Sequence, residues 1–276
     1  MLRERARSAA VLAPPILLAL LLGGPWIALV VAVAVAIGAV EAFRLLTQAG
    51  HASFPALGVV LAVVVALGDS VREVPGGSGL LLAGVGIVLV ASAAITRLDP
   101  REGLATLITT TFGAMWVGLL GFVPRLAAAD VPVVDGSPLG WLGGARAWVL
   151  ILLLTVWTFD TAAYAVGRRF GQRHFIPHIS PGKTVEGTLG GMLGAVIVCA
   201  LLVAAVGRPP LAGLVLGLAI AVAAQVGDLA ESMLKRAAGA KESGRLIPGH
   251  GGLLDRIDSF LFAAPVAYLY VIAVLG

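Results

Sequence analysis

Charge is scarce in this chain. Of its 276 residues only 12% are Asp, Glu, Lys or Arg, about half the ~25% of an ordinary soluble domain. A disordered chain is thereby excluded, since disorder needs high charge and low hydrophobicity. A soluble globule is excluded as well: 59% of the residues are hydrophobic and the mean hydropathy is +1.01, more apolar surface than one water-soluble core of this length can hide. Cysteine is nearly absent. Cys199 stands alone, so no intramolecular disulfide can form, and its apolar neighbours make it a small core hydrophobe. No zinc site is evident, because His174, His178 and His250 lack a second soft donor at ligand spacing. The ten-residue alternation of a membrane β-barrel is missing, and so is the internal repeat of an inverted-repeat transporter. The 36 glycines have no three-residue period, which excludes collagen. They suit helices whose backbones approach closely in a membrane.

Long apolar runs, by contrast, are plentiful. About nine are near the ~20 residues that a bilayer-spanning helix needs. They lie near 9–23, 26–46, 54–68, 80–96, 104–123, 146–166, 188–206, 211–234 and 256–275. Hydrocarbon demands internal satisfaction of backbone groups, so the runs are helices. The predicted fold is all-α: a polytopic integral membrane helix bundle with about nine transmembrane helices. Arg3, Arg5 and Arg7 precede the first run, as in a signal peptide. Pro14-Pro15 interrupts that run and another comes directly after it, so a retained first helix is expected. With the N-terminus in the cytoplasm, fifteen of the nineteen Lys and Arg residues fall on the cytoplasmic side. Only Arg72, Arg125, Arg146 and Arg208 fall outside, as the positive-inside rule requires. The same rule accounts for the net charge of +4 and the pI near 9.7, so no nucleic-acid partner is expected. Polar residues are lopsided. Residues 1–145 read as a scaffold of transmembrane helices, and 146–276 as a catalytic region with charged cytoplasmic loops at 168–187 and 235–256.

A charge at the centre of a membrane helix costs roughly 2.5–3.5 kcal/mol on insertion scales. Isolated acids such as Glu41 and Asp69 read as interface residues with a structural part. The eighth run is different. Asp228, Glu231, Ser232 and Lys235 fall at i, i+3, i+4 and i+7, one face of one helix. An intrahelical ion-pair ladder would account for that stripe alone, but not for the polar residues downstream of it. These are Lys241, Glu242, Arg245, the run Pro248-Gly249-His250-Gly251-Gly252, and then Asp255 and Asp258 opening the last helix. Four acids on two successive antiparallel helices can converge, and oxygen-rich clusters suit hard cations such as Mg²⁺. Glycines around His250 allow close backbone approach, as phosphate-binding loops require. Upstream, Asp160, Tyr164 and Arg168 recur on one face, with Gly171, Arg173 and the run from Ser180 to Gly187 after them. Gly182-Lys183-Thr184 is like the tail of a P-loop, but Pro177 stands where the leading glycine belongs. Acids for metal beside many cations describe metal-bridged chemistry on a polyphosphate.

The segment Ser232-x-x-Lys235-Arg236 through Lys241-Glu242 and Pro248-Gly249-His250-Gly251-Gly252 to Asp255-Arg256-Ile257-Asp258 resembles the signature of phosphatidate cytidylyltransferases. Asp160-Thr161-x-x-Tyr164 through Arg168, and Ser180-Pro181-x-Lys183-Thr184-x-Glu186-Gly187, resemble two upstream blocks of that family. The resemblance covers Asp160 to Ser259; the N-terminal half is similar only in being hydrophobic. It implies transfer of cytidylyl from CTP to phosphatidate, giving CDP-diacylglycerol and pyrophosphate. It implies Asp228, Asp255, Lys235 and His250 as catalytic residues, with His250 a proton shuttle or a phosphate hydrogen-bonding group. It implies Mg²⁺ on Asp228 and Asp255, with Asp258 or Glu231 assisting, and a second cation such as K⁺. Lys235, Arg236 and Lys241 would screen the triphosphate. Ser180, Lys183 and Thr184 would meet a phosphate of either substrate. Asp160, Tyr164, Arg168, Glu186, Ser232, Gly249, Gly251, Gly252 and Arg256 complete the substrate-binding set. The resemblance also implies a homodimer in a bacterial inner membrane, its active site facing the cytoplasm and the acyl chains left in the bilayer. Two positions depart from the family: Glu242 replaces its usual Asp, and Gly182 its usual Lys, a loss for which Arg173 or Arg169 would compensate. The rival readings are another membrane nucleotide-lipid enzyme, such as a polyprenol kinase, and a transporter. A transporter would need a polar path across the whole bilayer.

Overall fold

The computed structural model describes residues 14–68, 78–246 and 251–276. Each of the nine apolar runs coincides with a helix in the described part. Helix α1 covers 14–22. It is followed by α2 (Gly24–Gln48), α3 (Pro55–Leu67), α4 (Ser78–Ile95), α5 (Pro100–Gly118) and the short α6 (Phe122–Ala129). After a connection come α7 (Gly143–Phe170), α8 (Val185–Ala205), α9 (Pro210–Ala237) and α10 (Leu254–Tyr270). Starts carry the expected chemistry: Pro falls in the first turn of α2, α3 and α5, where its missing N–H costs nothing.

Among the described residues six helices are long and apolar enough to cross a membrane: Gly24–Gln48, Pro100–Ala129, Gly140–Phe170, Val185–Ala205, Pro210–Ala237 and Leu254–Leu275. Helix α3, with 13 residues, rises only ~20 Å at 1.5 Å per residue, short of a ~30 Å hydrocarbon core. The surface has the character of a lipid-facing bundle. Val60, Leu80, Ile108, Leu193, Leu201 and Leu211 are all more than half exposed. Arg3, Arg5, Arg7, Asp69, Arg72, Gly249 and His250 lie outside the described residues.

One element departs from the all-helical expectation. Within the charged loop 168–187, β1 (His174–Ile176) and β2 (Ser180–Thr184) form a two-stranded antiparallel hairpin, pairing His174 with Thr184 and Ile176 with Ser180. The strands are short and lack the apolar alternation that marks a strand in a sequence.

Two compact units make up the chain. The first joins residues 1–124 to 234–257, and the second joins 125–233 to 258–276. Helices α9 and α10 therefore contribute to both. In the first unit the fully buried Phe43 of α2 lies against Gly58 of α3 and Gly113 of α5, where any Cβ would strike its ring. Three residues before Glu41, Gly38 faces Ile257 and Leu254 at the start of α10. That spacing turns the Glu41 side of α2 toward the same helix start.

The second unit is built on small residues. Gly187, Gly190, Gly191 and Gly194 of α8 face Phe159, Ala162, Ala163, Val166 and Gly167 of α7, at distances a side chain would close. These are two overlapping small-xxx-small patterns, the device that lets membrane helices pack backbone to backbone. Gly213 and Gly217 of α9 lie against Cys199 of α8, which is buried as expected. Gly227 of α9 lies against the Asp258 carbonyl of α10. Trp148 is buried with its indole N–H donating to the Val131 carbonyl at 2.8 Å.

Candidate active site

The polar stripe of α9 forms as the spacing predicts, on an unbroken helix from Pro210 to Ala237. Its residues engage partners from elsewhere in the chain. In the second unit, Lys183 of β2 reaches Asp228, with Nζ 2.6 Å from Oδ2. The other Asp228 oxygen accepts from Ser232 Oγ one turn on, at 3.2 Å. Both charged side chains keep about a quarter of their surface exposed. Glu231 is fully buried, and Asp258 and Ser259 are nearly so. Because Gly227 admits the α10 backbone, Asp258 is packed beside the turn that carries Asp228.

The hairpin and the start of α8 set Lys183 in place. Thr184, in extended conformation, caps α8 by accepting from Gly187 N at 3.1 Å. Glu186 accepts from Gln172 N and Arg173 N, at 3.1 and 3.2 Å, and from Arg173 Nε at 3.2 Å. Glu186 therefore ties the turn after α7 to the first turn of α8. Asp160, Tyr164 and Arg168 are exposed along α7, and Arg168 donates to the Tyr164 hydroxyl at 3.2 Å. Nothing lies within 4 Å of a Cβ at Gly182, so no steric demand holds that position to glycine. Of the two compensating cations, Arg173 pairs with Glu186 and Arg169 lies over the Phe170 ring at 5.6 Å.

The first unit holds the second cluster. Lys235 Nζ lies 2.6 Å from Asp255 Oδ1, with about a tenth of either side chain exposed. Asp255 Oδ2 accepts three times, from Ser243 N, Ser243 Oγ and Gly252 N, each at 2.9 Å. Asp255 thus fastens the loop between α9 and α10 while pairing with Lys235. Sequence reasoning missed two contributors, Glu41 and Ser243. Glu41 of α2, 8% exposed, accepts from Leu253 N at 3.1 Å, Leu254 N at 2.8 Å and Ser243 Oγ at 3.0 Å. Two of the four N–H groups that a helix start leaves unpaired are thereby satisfied by a carboxylate 212 and 213 positions away.

This cluster explains the described glycines of the signature. A Cβ at Gly252 would collide with Ser243 Oγ and Glu41 Oε2, and one at Gly244 with Glu41 Oε1. Gly251 has a φ of +79° and faces Asp255 Oδ2. These glycines bring backbone onto carboxylates. Arg236 donates to the Ala240 carbonyl at 3.2 Å, closing the end of α9. Lys241, Glu242 and Arg256 are exposed.

Asp228, Glu231 and Asp258 in the second unit and Asp255 in the first offer only oxygen, the donor type that a hard divalent cation takes. At Asp228 and Asp255 a lysine ammonium lies at 2.6 Å, so both positions already balance a cation. Among the described residues no three His, Cys, Asp or Glu side chains are grouped as a metal site.

Apolar helices long enough to span a membrane, together with the acid–lysine pairs Asp228–Lys183 and Asp255–Lys235, are consistent with a membrane enzyme that handles charged substrates. The model of the cytidylyltransferase family matches residues 3–274, and the chain belongs to that family. It is 37% identical over 199 residues to a phosphatidate cytidylyltransferase of Brucella suis, covering 71% of this chain and 72% of that protein. A Synechocystis protein of the same name is 32% identical over 279 residues, 93% of this chain and 92% of its own. A Bacillus subtilis protein, again so named, is 44% identical over 123 residues, 44% of this chain and 46% of its own.

Proposed function

We propose that the chain transfers a cytidylyl group from CTP to phosphatidate, forming CDP-diacylglycerol and pyrophosphate. The observation that carries this reading is the near full-length similarity to a protein named phosphatidate cytidylyltransferase, 93% of this chain against 92% of the relative. The apolar helices suit a lipid substrate whose acyl chains stay in the bilayer. A phosphatidate phosphate oxygen attacks the α-phosphorus of CTP. The new P–O bond forms as the bond to the β-phosphate bridging oxygen breaks, and pyrophosphate leaves with that electron pair. The nucleophile is already an anion, so no general base is required. Lys183 and Lys235 are the half-buried and buried ammonium groups that would meet phosphate oxygens, and Arg236, Lys241 and Arg256 are exposed cations that would screen the triphosphate. Asp228, Glu231 and Asp258 of the second unit and Asp255 of the first are the oxygen donors offered to a divalent cation such as Mg²⁺, which would neutralise charge building on the phosphates. The Lys and Arg distribution supports a cytoplasmic face for these residues, and the likeness to bacterial proteins supports a bacterial inner membrane. The proposal includes association of two copies of the chain as a homodimer.

The test is product formation by protein purified in detergent with phosphatidate and radiolabelled CTP. A lipid-extractable cytidine product that depends on phosphatidate is expected, and Asp228→Ala abolishes it. Preference for a different lipid phosphate, or lipid phosphorylation without cytidine transfer, overturns the reading.

A further inference from the structure

The cluster around Asp255 contains a buried acid that the proposed reaction does not use. Glu41 comes from the scaffold half of the chain, yet its carboxylate receives the first N–H groups of α10 and the Ser243 hydroxyl. Ser243 is itself shared. Its Oγ lies 3.0 Å from Glu41 Oε2 and 2.9 Å from Asp255 Oδ2, and it accepts from Asp255 N at 3.3 Å. A hydroxyl has one proton, so Ser243 donates to one carboxylate at a time and links the two. Gly244 and Gly252 flank Glu41 so closely that a Cβ on either would displace its carboxylate. Glu41 is thus enclosed by the segment that presents Asp255, and Asp255 in turn holds Lys235 at 2.6 Å.

We infer that Glu41 and Ser243 are positioning residues for cytidylyl transfer. Glu41 fixes the 243–254 segment and the start of α10, and Ser243 passes that constraint to the Asp255 carboxylate, which orients the Lys235 ammonium. This rests on the cytidylyl-transfer reading. Glutamine at position 41 keeps the shape, but it replaces one acceptor with a donor that faces backbone N–H groups. Alanine at 243 deletes only the shared hydroxyl.

The experiment compares Glu41→Gln, Ser243→Ala and the double variant with wild type, in detergent with phosphatidate and Mg²⁺. Each single variant is expected to lower kcat on the order of tenfold, the usual effect of losing an outer partner of a functional ligand, with little change in the KM for CTP. Because the two residues act through one path, the double variant falls no further than the worse single variant. In Glu41→Gln the Leu253 and Leu254 amides also exchange faster with deuterium. Unchanged kcat in Glu41→Gln, or losses that multiply in the double variant, overturn the inference. If Glu41→Gln does not fold, Ser243→Ala decides, and unchanged kcat there overturns it. A wild-type protein that makes no cytidine lipid overturns the functional reading and the catalytic role with it, and the exchange rates then decide the anchoring alone. Wild-type product with unaffected variants overturns only the positioning role.

Discussion

The two lysine-paired aspartates of the candidate site differ in how they are held. Asp228 has one lysine and one hydroxyl as partners and is partly exposed. Asp255 is buried with Lys235 and accepts three further hydrogen bonds. Losing one member of a buried pair strands the other, at a cost of ~3–5 kcal/mol. Lys235→Ala is therefore expected to lower the melting temperature in detergent sharply. Combining it with Asp255→Asn removes the stranded charge and recovers much of that loss without restoring turnover. A double variant as unstable as Lys235→Ala would show that the pair is not what holds this loop. At the exposed end of the site the order of effects reverses. Arg173 is 78% exposed and Glu186 23%, and Glu186 alone accepts the two backbone N–H groups of the turn. Glu186→Ala is expected to lower the melting temperature more than Arg173→Ala, which leaves it nearly unchanged.

Among the elements, α8 shows how a charged loop is joined to an apolar helix. Thr184 closes β2 and caps α8 with a single hydroxyl. Thr184→Ala should cost about 1 kcal/mol, the usual worth of such a cap, read as a lower melting temperature. The glycine face of α8 makes a stronger demand. A leucine at Gly191 has no room between the Phe159 carbonyl and Ala163, so Gly191→Leu should separate α7 from α8 and yield protein that aggregates on extraction. The helices were legible in the sequence because each is an apolar run ended by Gly or Pro. The stripe Asp228–Glu231–Ser232–Lys235 was legible because helical spacing is local. The hairpin was not, since β1 is only three residues long and β2 carries Ser, Pro, Gly and Lys in place of an apolar alternation. The partners of the stripe were not legible either: Lys183 and Asp255 are fixed by tertiary packing, which helical periodicity does not encode. Glu41 was visible only as a lone acid in an apolar helix. Nothing near it in sequence announces the N–H groups it receives.

For the molecule as a whole, the apolar surface sets the behaviour. Leucines, valines and isoleucines are exposed along most of the long helices, so the protein should stay in the membrane pellet after high-salt and alkaline washes and leave it only with detergent. Release by salt alone would contradict a bundle that crosses the bilayer. The bond between Glu41 and Leu254 has a further consequence, for biosynthesis. It joins residues 213 apart, so Glu41 enters the membrane long before its donors are translated. An acid in that interval is tolerable only near a helix end, where water still reaches it, and Glu41 lies two turns from the end of α2. Its final bonds close only when the last helix arrives, so a nascent chain stopped short of Leu253 would carry an unmet carboxylate as the mark of unfinished assembly.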